Sequence, residues 1–302
     1  MIRATVIVPA RDAEGTLPRT LAALADQEGA PSFEVVVADD GSRDATAAIA
    51  ERAGARLVRG HANAAVAAAS GAVLAFCGAD CRPTPGWLAA GTQALAEAEL
   101  VQGRVLPDPR GEAGPFASPV SVTEETGLYD AGNLFVTRAL FDRVGGFERA
   151  PGDSALTEDT WFAWRARRAG ARTAFCAPAL SHRRATALEP REYVTERAGL
   201  GRLPHTIAAL PELRDSLLHR RLFLSRRSMK LDLAVAGLAA AAARRSRLSL
   251  LLAAPYALEL RRRAKERARD DWKTVAAVDF AADLRAAAAL LHGSVEARTL
   301  VI

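Results

Sequence analysis

Runs of β-branched residues alternate with helical stretches over the first hundred residues of this chain. Two of these runs, Thr5–Pro9 and Phe33–Ala38, are almost continuously apolar, which is typical of parallel strands covered on both faces. Between them, leucines recur at helical spacing, at Leu17, Leu21 and Leu24. Strand–helix–strand alternation predicts an α/β fold with a mainly parallel sheet.

The rest of the chain continues this alternation and then changes to helix. We predict further strands at 56–58, 72–77, 101–106, 134–137 and 173–176, and further helices at 42–52, 63–70, 138–144 and 158–169. The proline- and glycine-rich segment 107–119 is predicted to be a loop. Beyond residue 190 the pattern is almost wholly helical and ends in an amphipathic helix at 275–291. The sequence therefore predicts an α/β domain at 1–200 and a helical region at 201–302.

The positive charge of the chain is concentrated in its C-terminal third. The formal net charge is +5, and residues 181–270 contain 20 arginines and lysines against nine acidic residues. Such a surplus suits nucleic acid, anionic lipid or a phosphorylated substrate. A nucleic-acid partner is disfavoured because the sequence has no recognisable binding module and no interleaving of basic and aromatic residues. Three cysteines give no disulfide framework, which favours a reducing compartment.

Polar residues follow several of the predicted strands at their carboxyl ends, where open parallel sheets bind ligands. Arg11 follows the first strand, Asp39 and Asp40 the second, and Asp80 the fourth. A carboxylate here could bind a ribose hydroxyl, a base N–H or a divalent cation. The alternatives are a turn with a helix cap at 39–42 and an ordinary loop carboxylate at Asp80. The sequence contains no Gly-x-Gly-x-x-Gly after the first strand and no Walker loop, which disfavours a dinucleotide site.

Five segments, in this order and spacing, resemble glycosyltransferase family 2. They are VIVPARDAEGTLPRTLAAL, FEVVVADDGSRDAT, LAFCGADCRPTPGWL, VGGF and TEDTWFAWRARRAG, and the resemblance covers roughly residues 2–185. It implies the GT-A fold, a nucleotide-sugar donor and inversion at the anomeric carbon. The alanine- and arginine-rich composition gives it an actinobacterial character. The Gln-x-x-Arg-Trp motif of processive synthases is absent, so a single-transfer enzyme is expected.

The resemblance also implies roles for individual residues. Asp40 would contact the nucleotide base, and Asp80 would bind Mn²⁺ or Mg²⁺ on the diphosphate, with His182 approaching the metal. Asp159 would be the general base that accepts the proton of the acceptor hydroxyl, with Glu158 as its partner in the motif. The full set expected to bind the sugar-nucleotide donor is Pro9, Ala10, Arg11, Glu14, Asp40, Asn63, Ala79, Asp80 and Arg183. The alternatives without a function are a solvated loop histidine at 182 and an ordinary acidic first helical turn at 158–159.

Two positions depart from the family pattern. Gly78 stands where the first Asp of Asp-x-Asp is expected, and Ala62 stands where an arginine is common. Both changes would weaken the donor site while leaving the metal ligand and the base in place. They motivate the alternative of a catalytically degenerate paralogue that binds nucleotide sugars.

Two apolar stretches, 231–243 and 248–260, are each too short to span a bilayer, and no stretch reaches the ~18 apolar residues of a spanning helix. Arginines lie between and after them, at 244–247 and 261–263, so they could lie in an anionic membrane interface. The alternative is packing on the catalytic domain or on a second chain, as in a homodimer. The apolar run at the N-terminus is too short for a signal peptide. We expect a cytoplasmic protein that contacts the inner face of the membrane, where it would meet a glycan or lipid-linked acceptor.

Overall fold

A computed structural model describes residues 3–111, 114–117, 120–150, 157–244 and 247–302. Their contacts divide the chain into two compact units. The first unit contains the described residues of 3–150 except 114–117, together with 157–185, and the second unit contains 114–117 and the described residues from 186 onward. The contacts place the change of unit after residue 185. The border at residue 200 between the two sequence-based domains stays a prediction.

The first unit is built on one sheet of eight strands, which confirms the predicted α/β class. The strands run in the spatial order β3-β2-β1-β4-β7-β6-β8-β5. Their bounds are β1 Ala4–Ala10, β2 Phe33–Asp39, β3 Arg56–Arg59, β4 Val73–Cys77, β5 Cys81–Pro83, β6 Leu100–Pro107, β7 Asn133–Thr137 and β8 Thr173–Arg183.

The directions of the strands bring the candidate residues to one edge. β1 is parallel to β2 and to β4, so the carboxyl ends of all three lie together. β7 is antiparallel to β4, with Asn133 opposite Cys77. The turn before β7 therefore lies at the same edge as the carboxyl end of β4. The strand–helix alternation in the sequence predicts the parallel pairing of β1 with β2 and β4, but it does not predict the antiparallel pairing of β7 with β4.

Two strands differ from the sequence-based prediction. β8 continues to Arg183 instead of ending at Cys176, because it follows β6 past a register shift between Gly103 and Arg104. Its second half ends in polar residues, which hides the strand pattern. β5 was not predicted, since three residues that include a proline carry almost no periodic signal.

In the described part of the first unit, six helices cover the two faces of the sheet. They are α1 Leu17–Ala25, α2 Thr46–Arg52, α3 Ala62–Ala68, α4 Trp87–Ala94, α5 Arg138–Val144 and α6 Glu158–Arg168. On one face, the rings of Phe76, Phe141, Phe147 and Phe162 pack with centroids 5.0–5.9 Å apart. This aromatic cluster fixes α6 against the sheet and so positions its first turn.

The second unit is helical, as the sequence predicts. It contains α7 Pro190–Glu196, α8 Leu203–Ala209, α9 Leu213–Leu217, α10 Arg226–Arg244, α11 Ala254–Arg267 and α12 Trp272–Glu296, with 3-10 turns at Arg197–Arg202 and Arg247–Ala253. Asp279 is fully buried on α12 and accepts hydrogen bonds from Arg267 (2.9 Å) and Tyr193 (3.2 Å). Among the described residues, no helix is long and apolar enough to cross a membrane.

Candidate functional site

The loops that follow β1 and β2 hold one another in place. The Arg43 N–H donates to the Asp12 carboxylate (2.8 Å), and the Asp12 N–H donates to Ser42 Oγ (3.0 Å). The Ala45 N–H donates to the Glu14 carboxylate (3.0 Å). Asp12 has φ 46°, in the left-handed region that aspartate tolerates better than most residues. Glu14, expected to bind the sugar-nucleotide donor, therefore shapes the loop; a direct contact with ligand stays a prediction.

The two aspartates after β2 have different environments. Asp39 is buried and accepts a hydrogen bond from the Ser42 N–H (3.0 Å). The Asp40 side chain is 37% exposed, with Arg11 Nη1 at 4.0 Å and His61 Nδ1 at 3.3 Å from its oxygens. Asp39 is thus committed to the turn, and Asp40 is the one available to a ligand. Sequence reasoning identified Asp40 and Arg11 but not the approach of His61.

Three of the expected positions contribute backbone rather than functional side chains. The carbonyl of Ala10 accepts a hydrogen bond from the Asp40 N–H (3.0 Å), which joins the ends of β1 and β2. The carbonyl of Ala79 accepts from the Thr20 hydroxyl (2.9 Å). Pro9 is half-buried and lies opposite Ala38 in the sheet. These residues therefore support the carboxyl ends of the strands through their backbone.

Asn63 uses both polar atoms of its side chain on one backbone unit. Its amide nitrogen donates to the carbonyl of Phe147 (2.7 Å), and its oxygen accepts from the Phe147 N–H (3.0 Å). Asn63 therefore ties α3 to the Gly-Gly-Phe turn after α5. That Asn63 contributes to donor binding stays a prediction. Because both polar atoms of its side chain are bonded to Phe147, such a contribution would be indirect.

Arg183, at the end of β8, joins two carboxylates. Its Nη1 and Nη2 donate to the two oxygens of Asp130, at 2.7 and 3.1 Å, and its Nε lies 3.5 Å from Asp80 Oδ1. The Arg183 side chain is 13% exposed, whereas that of Asp80 is 47% exposed. Asp130 thus binds the guanidinium, and the side chain of Asp80 stays accessible to solvent. Arg183 was expected at the donor site; Asp130 was missed.

Glycines leave the space that this cluster occupies. A Cβ at Gly132 would lie 1.4 Å from Nη2 of Arg183, and a Cβ at Gly78 would lie 2.7 Å from Oδ1 of Asp80. A side chain at either position would have to displace the charged groups. The glycine at position 78, where the family pattern has an aspartate, thus leaves room for the charge cluster in which Arg183 lies beside Asp80.

Asp159 lies in the first turn of α6 and is held by two backbone N–H groups. Its oxygens accept from Ala131 (2.7 Å) and from Thr160 (2.7 Å). Burial raises the pKa of Asp159 above its ordinary value, the negative charge of Asp130 adds to this, and the hydrogen bonds oppose it. The neighbouring Glu158 is exposed. A positioned carboxylate with a raised pKa can act as a general base.

The turn Asp130–Gly132 connects Asp159 to the Arg183 cluster. The backbone of Ala131 binds Asp159, and the side chain of Asp130 binds Arg183. The Asp130 side chain also accepts from the Gly132 N–H (2.7 Å), which closes the turn. Sequence reasoning could have found this turn, because Asp, Ala and Gly directly precede a strand, but only the antiparallel direction of β7 places it at this edge.

His182 is half-buried, and its Nδ1 lies 3.3 Å from the carbonyl of Pro107. Successive strand residues point to opposite faces, so His182 points away from the face on which Arg183 meets Asp80. A role for His182 as metal ligand stays a prediction. No group of three histidine, cysteine or acidic side chains converges within the described part of the chain. The half-exposed Asp80 fits instead the sparse arrangement of one or two carboxylates that share a cation with substrate phosphates.

Comparison with known proteins finds one family match in the first half of the chain. The family model of glycosyl transferase family 2 matches residues 5–147. The match includes Asp40, Asp80 and the turn at Asp130, and ends before Asp159 and Arg183. No curated protein matches the chain in sequence.

Among the solved structures that share the fold, two illustrate the likeness. One is the mannosyltransferase PcManGT from Pyrobaculum calidifontis in complex with GDP-Man and Mn²⁺, with a TM-score of 0.63 and 23% identity over 94% of this chain and 87% of that chain. The other is S. aureus TarS 1-349 in complex with UDP-GlcNAc, with a TM-score of 0.51 and 16% identity over 99% and 93% of the two chains. At these identities the likeness shows the fold alone, and the predicted GT-A architecture with a helical C-terminal region is confirmed.

Proposed function

We propose that this chain is an inverting glycosyltransferase that moves a sugar from a nucleoside-diphosphate sugar to an acceptor hydroxyl. The observation that supports it best is the placement of the Asp130–Gly132 turn. This turn contacts Asp159, the candidate base, and Arg183, which lies beside Asp80. A single in-line displacement needs a base on the acceptor side and positive charge on the leaving-group side, and this turn joins residues suited to both.

The nucleotide would lie along the carboxyl ends of β1 and β2. Asp40 is half-exposed there and would accept hydrogen bonds from the base, with Arg11 beside it. Asp80 would bind a divalent cation such as Mn²⁺ or Mg²⁺, which neutralises charge on the leaving diphosphate. Arg183 would donate hydrogen bonds to the same diphosphate, since planar guanidinium groups suit phosphate oxygens. PcManGT, which shares the fold, was solved with GDP-Man and Mn²⁺.

Asp159 would accept the proton of the acceptor hydroxyl as its oxygen bonds to the anomeric carbon. The two backbone N–H groups that bind the carboxylate fix its direction. Its raised pKa makes it a stronger base than an exposed aspartate. Glu158 is exposed beside it and would contact the acceptor. The alternative of a degenerate paralogue rests on Gly78 and Ala62, whereas Asp80 and Asp159, on which this proposal depends, are both present.

We further propose peripheral contact with the inner membrane face, in the synthesis of envelope or polysaccharide glycans. The second unit exposes large apolar side chains on the segment singled out from the sequence: Leu248 is 78% exposed, Leu251 67% and Leu258 66%. Four of the exposed leucines, at 248, 250, 251 and 252, are close neighbours in the chain, and contiguous exposed apolar surface marks membrane or protein contacts. The arginine run at 244–247 lies outside the side chains that the structure describes. A second copy of the chain is the competing occupant of this surface.

The decisive experiment is a donor screen. The purified chain is incubated with GDP-, UDP- and dTDP-sugars, Mn²⁺ and candidate acceptors, and the release of nucleoside diphosphate is measured. Acceptor-dependent release that is lost on chelation supports the proposal. Donor binding without transfer or hydrolysis across the panel would instead support the degenerate alternative.

A further inference from the structure

A partly open cavity of about 200 Å³ lies within the helical unit, apart from the residues discussed so far. Its apolar walls come from leucines of three segments, among them Leu200, Leu231 and Leu290. An engineered apolar cavity of ~150 Å³ is large enough to hold benzene. The cavity therefore has room for one ring or a short chain bearing a polar group.

The polar part of the lining carries a surplus of positive charge. Three arginines, Arg197, Arg227 and Arg263, face two aspartates, Asp232 and Asp283. Asp283 is already engaged, because it forms an ion pair with Arg227 Nη2 (2.6 Å) and accepts a hydrogen bond from the hydroxyl of Tyr256 (2.6 Å). The side chains that line the cavity thus include three guanidinium groups and only two carboxylates, so at least one guanidinium has no carboxylate partner within the lining.

Arg263 is the guanidinium left over. Its side chain forms no ion pair among the described residues, and the nearby carboxylate of Asp279 is paired with Arg267 (2.9 Å) instead. Burial lowers the pKa of Arg263, and the charges of Arg227 and Arg267 lower it further, which reflects the same local excess. An arginine in such a place is stabilised by an anion that enters the cavity.

Three buried polar atoms of the lining residues also lack hydrogen-bond partners among the described residues. They are Oδ2 of Asp232 and two nitrogens of Arg227, Nε and Nη2, of which Nη2 has only its ion pair with Asp283. Buried polar groups in folded proteins are almost always hydrogen-bonded, so orphaned atoms that line one cavity indicate a missing partner there. The two Arg227 nitrogens are hydrogen-bond donors and the Asp232 oxygen is an acceptor, so an anion that also carries a hydroxyl or amine would satisfy both kinds of atom.

We propose that this cavity binds a small organic anion with an apolar body and a hydrogen-bonding group, its acidic group paired with Arg263 and Arg227. The acid is a carboxylate or a phosphate ester, since guanidinium groups bind both. The site is independent of the transfer reaction, and its test does not depend on activity.

The test is calorimetric titration of the full chain with three probes of similar size. These are 4-hydroxybenzoate, phenyl phosphate and the neutral 4-hydroxybenzyl alcohol. We expect one or both anions to bind, with an affinity at least about tenfold above that of the alcohol, because hydrogen bonds to charged groups are the strong ones. The stronger of the two anions identifies the acid.

Two variants and a control complete the test. Arg263→Gln should weaken anion binding about tenfold, and Ala287→Leu should fill the cavity and abolish binding without removing a charge. Arg262→Gln, on the same helix but exposed and paired with Glu266, should bind like the wild type. The proposal is overturned if no anion binds at millimolar concentration, if the alcohol binds equally well, or if Ala287→Leu and Arg263→Gln both retain wild-type affinity.

Discussion

Arg183 and Asp130 form a bidentate ion pair, with nitrogen–oxygen distances of 2.7 and 3.1 Å. The pair joins the end of β8 to the turn before β7. It holds the Arg183 guanidinium beside Asp80, and the next residue along the turn, Ala131, holds Asp159. The turn Asp130–Gly132 thus positions both the candidate base, Asp159, and the guanidinium of Arg183. Changes in this turn should therefore affect both residues.

Asp159→Asn tests the general base. Asparagine retains most of the size and part of the hydrogen bonding but cannot accept the proton. We expect kcat to fall by ~10²–10⁴-fold, the usual effect of losing a general base, with donor affinity nearly unchanged. Asp142→Asn, an exposed aspartate on α5, serves as control and should retain activity. An Asp159→Asn enzyme with more than about a tenth of the wild-type kcat would show that the base is elsewhere.

Asp80→Ala tests the metal. If Asp80 shares a cation with the diphosphate, the variant should weaken donor binding when Mn²⁺ or Mg²⁺ is present and should have no effect in a chelator. Calorimetric titration with a nucleoside diphosphate, with and without Mn²⁺, measures the difference. Wild-type turnover at full rate in a chelator would rule out the metal role.

Gly132→Ala tests the Arg183 cluster. The added Cβ would lie 1.4 Å from Nη2 of Arg183, so the guanidinium must move, which disturbs its pairing with Asp130. We expect weaker donor binding and a free energy of unfolding lower by about 1–3 kcal/mol, as in overpacked sites. Gly86→Ala is the matched control, because a Cβ there meets nothing within 4 Å. Equal donor affinity in both variants would remove Arg183 from the donor site.

The pH dependence of kcat should report the raised pKa of Asp159. A base must be ionised, so the rate should fall as pH decreases through this pKa, at a pH above that of an ordinary aspartate. The acid limb should disappear in Asp159→Asn. A limb that persists unchanged in this variant belongs to another group.

The same shift predicts a pH effect on stability with a defined sign. Because the folded-state pKa of Asp159 is raised, its contribution to stability is fully present below the unfolded-state pKa and is lost as pH rises through the folded-state value. Urea unfolding of wild type and Asp159→Asn should therefore show the wild type losing stability relative to the variant as pH increases over this window. The opposite trend would mean that the pKa is lowered.

Flotation with anionic liposomes tests the membrane proposal. The wild type should float at low salt, and a Leu251→Ser, Leu258→Ser variant should float less, because two largely exposed apolar side chains are removed. Leu128→Ser, an exposed leucine of the first unit, is the control. A wild type that stays at the bottom but elutes as a dimer that the double variant loses would assign these leucines to a second copy.

The local pattern of the sequence determined much of the α/β unit. Apolar runs predicted β1 and β2 because strands covered on both faces need continuous apolar residues. The helical region also followed from the sequence, since its periodicity is local. The family resemblance, rather than the pattern, assigned roles to Asp40, Asp80 and Asp159, and those roles stay predictions.

Only the tertiary structure decided which residues meet. The pairing of Arg183 with Asp130 joins positions 53 residues apart, and it depends on β7 running antiparallel to β4 and on β8 extending to Arg183. Strand direction and length are set by long-range pairing, which leaves no periodic signal in the local sequence. Likewise, Asn63 is a polar residue near a strand end in the sequence, but its side chain is committed to Phe147, because packing brings that backbone within reach. Local sequence therefore determined the elements, and long-range strand pairing and packing determined the composition of the site.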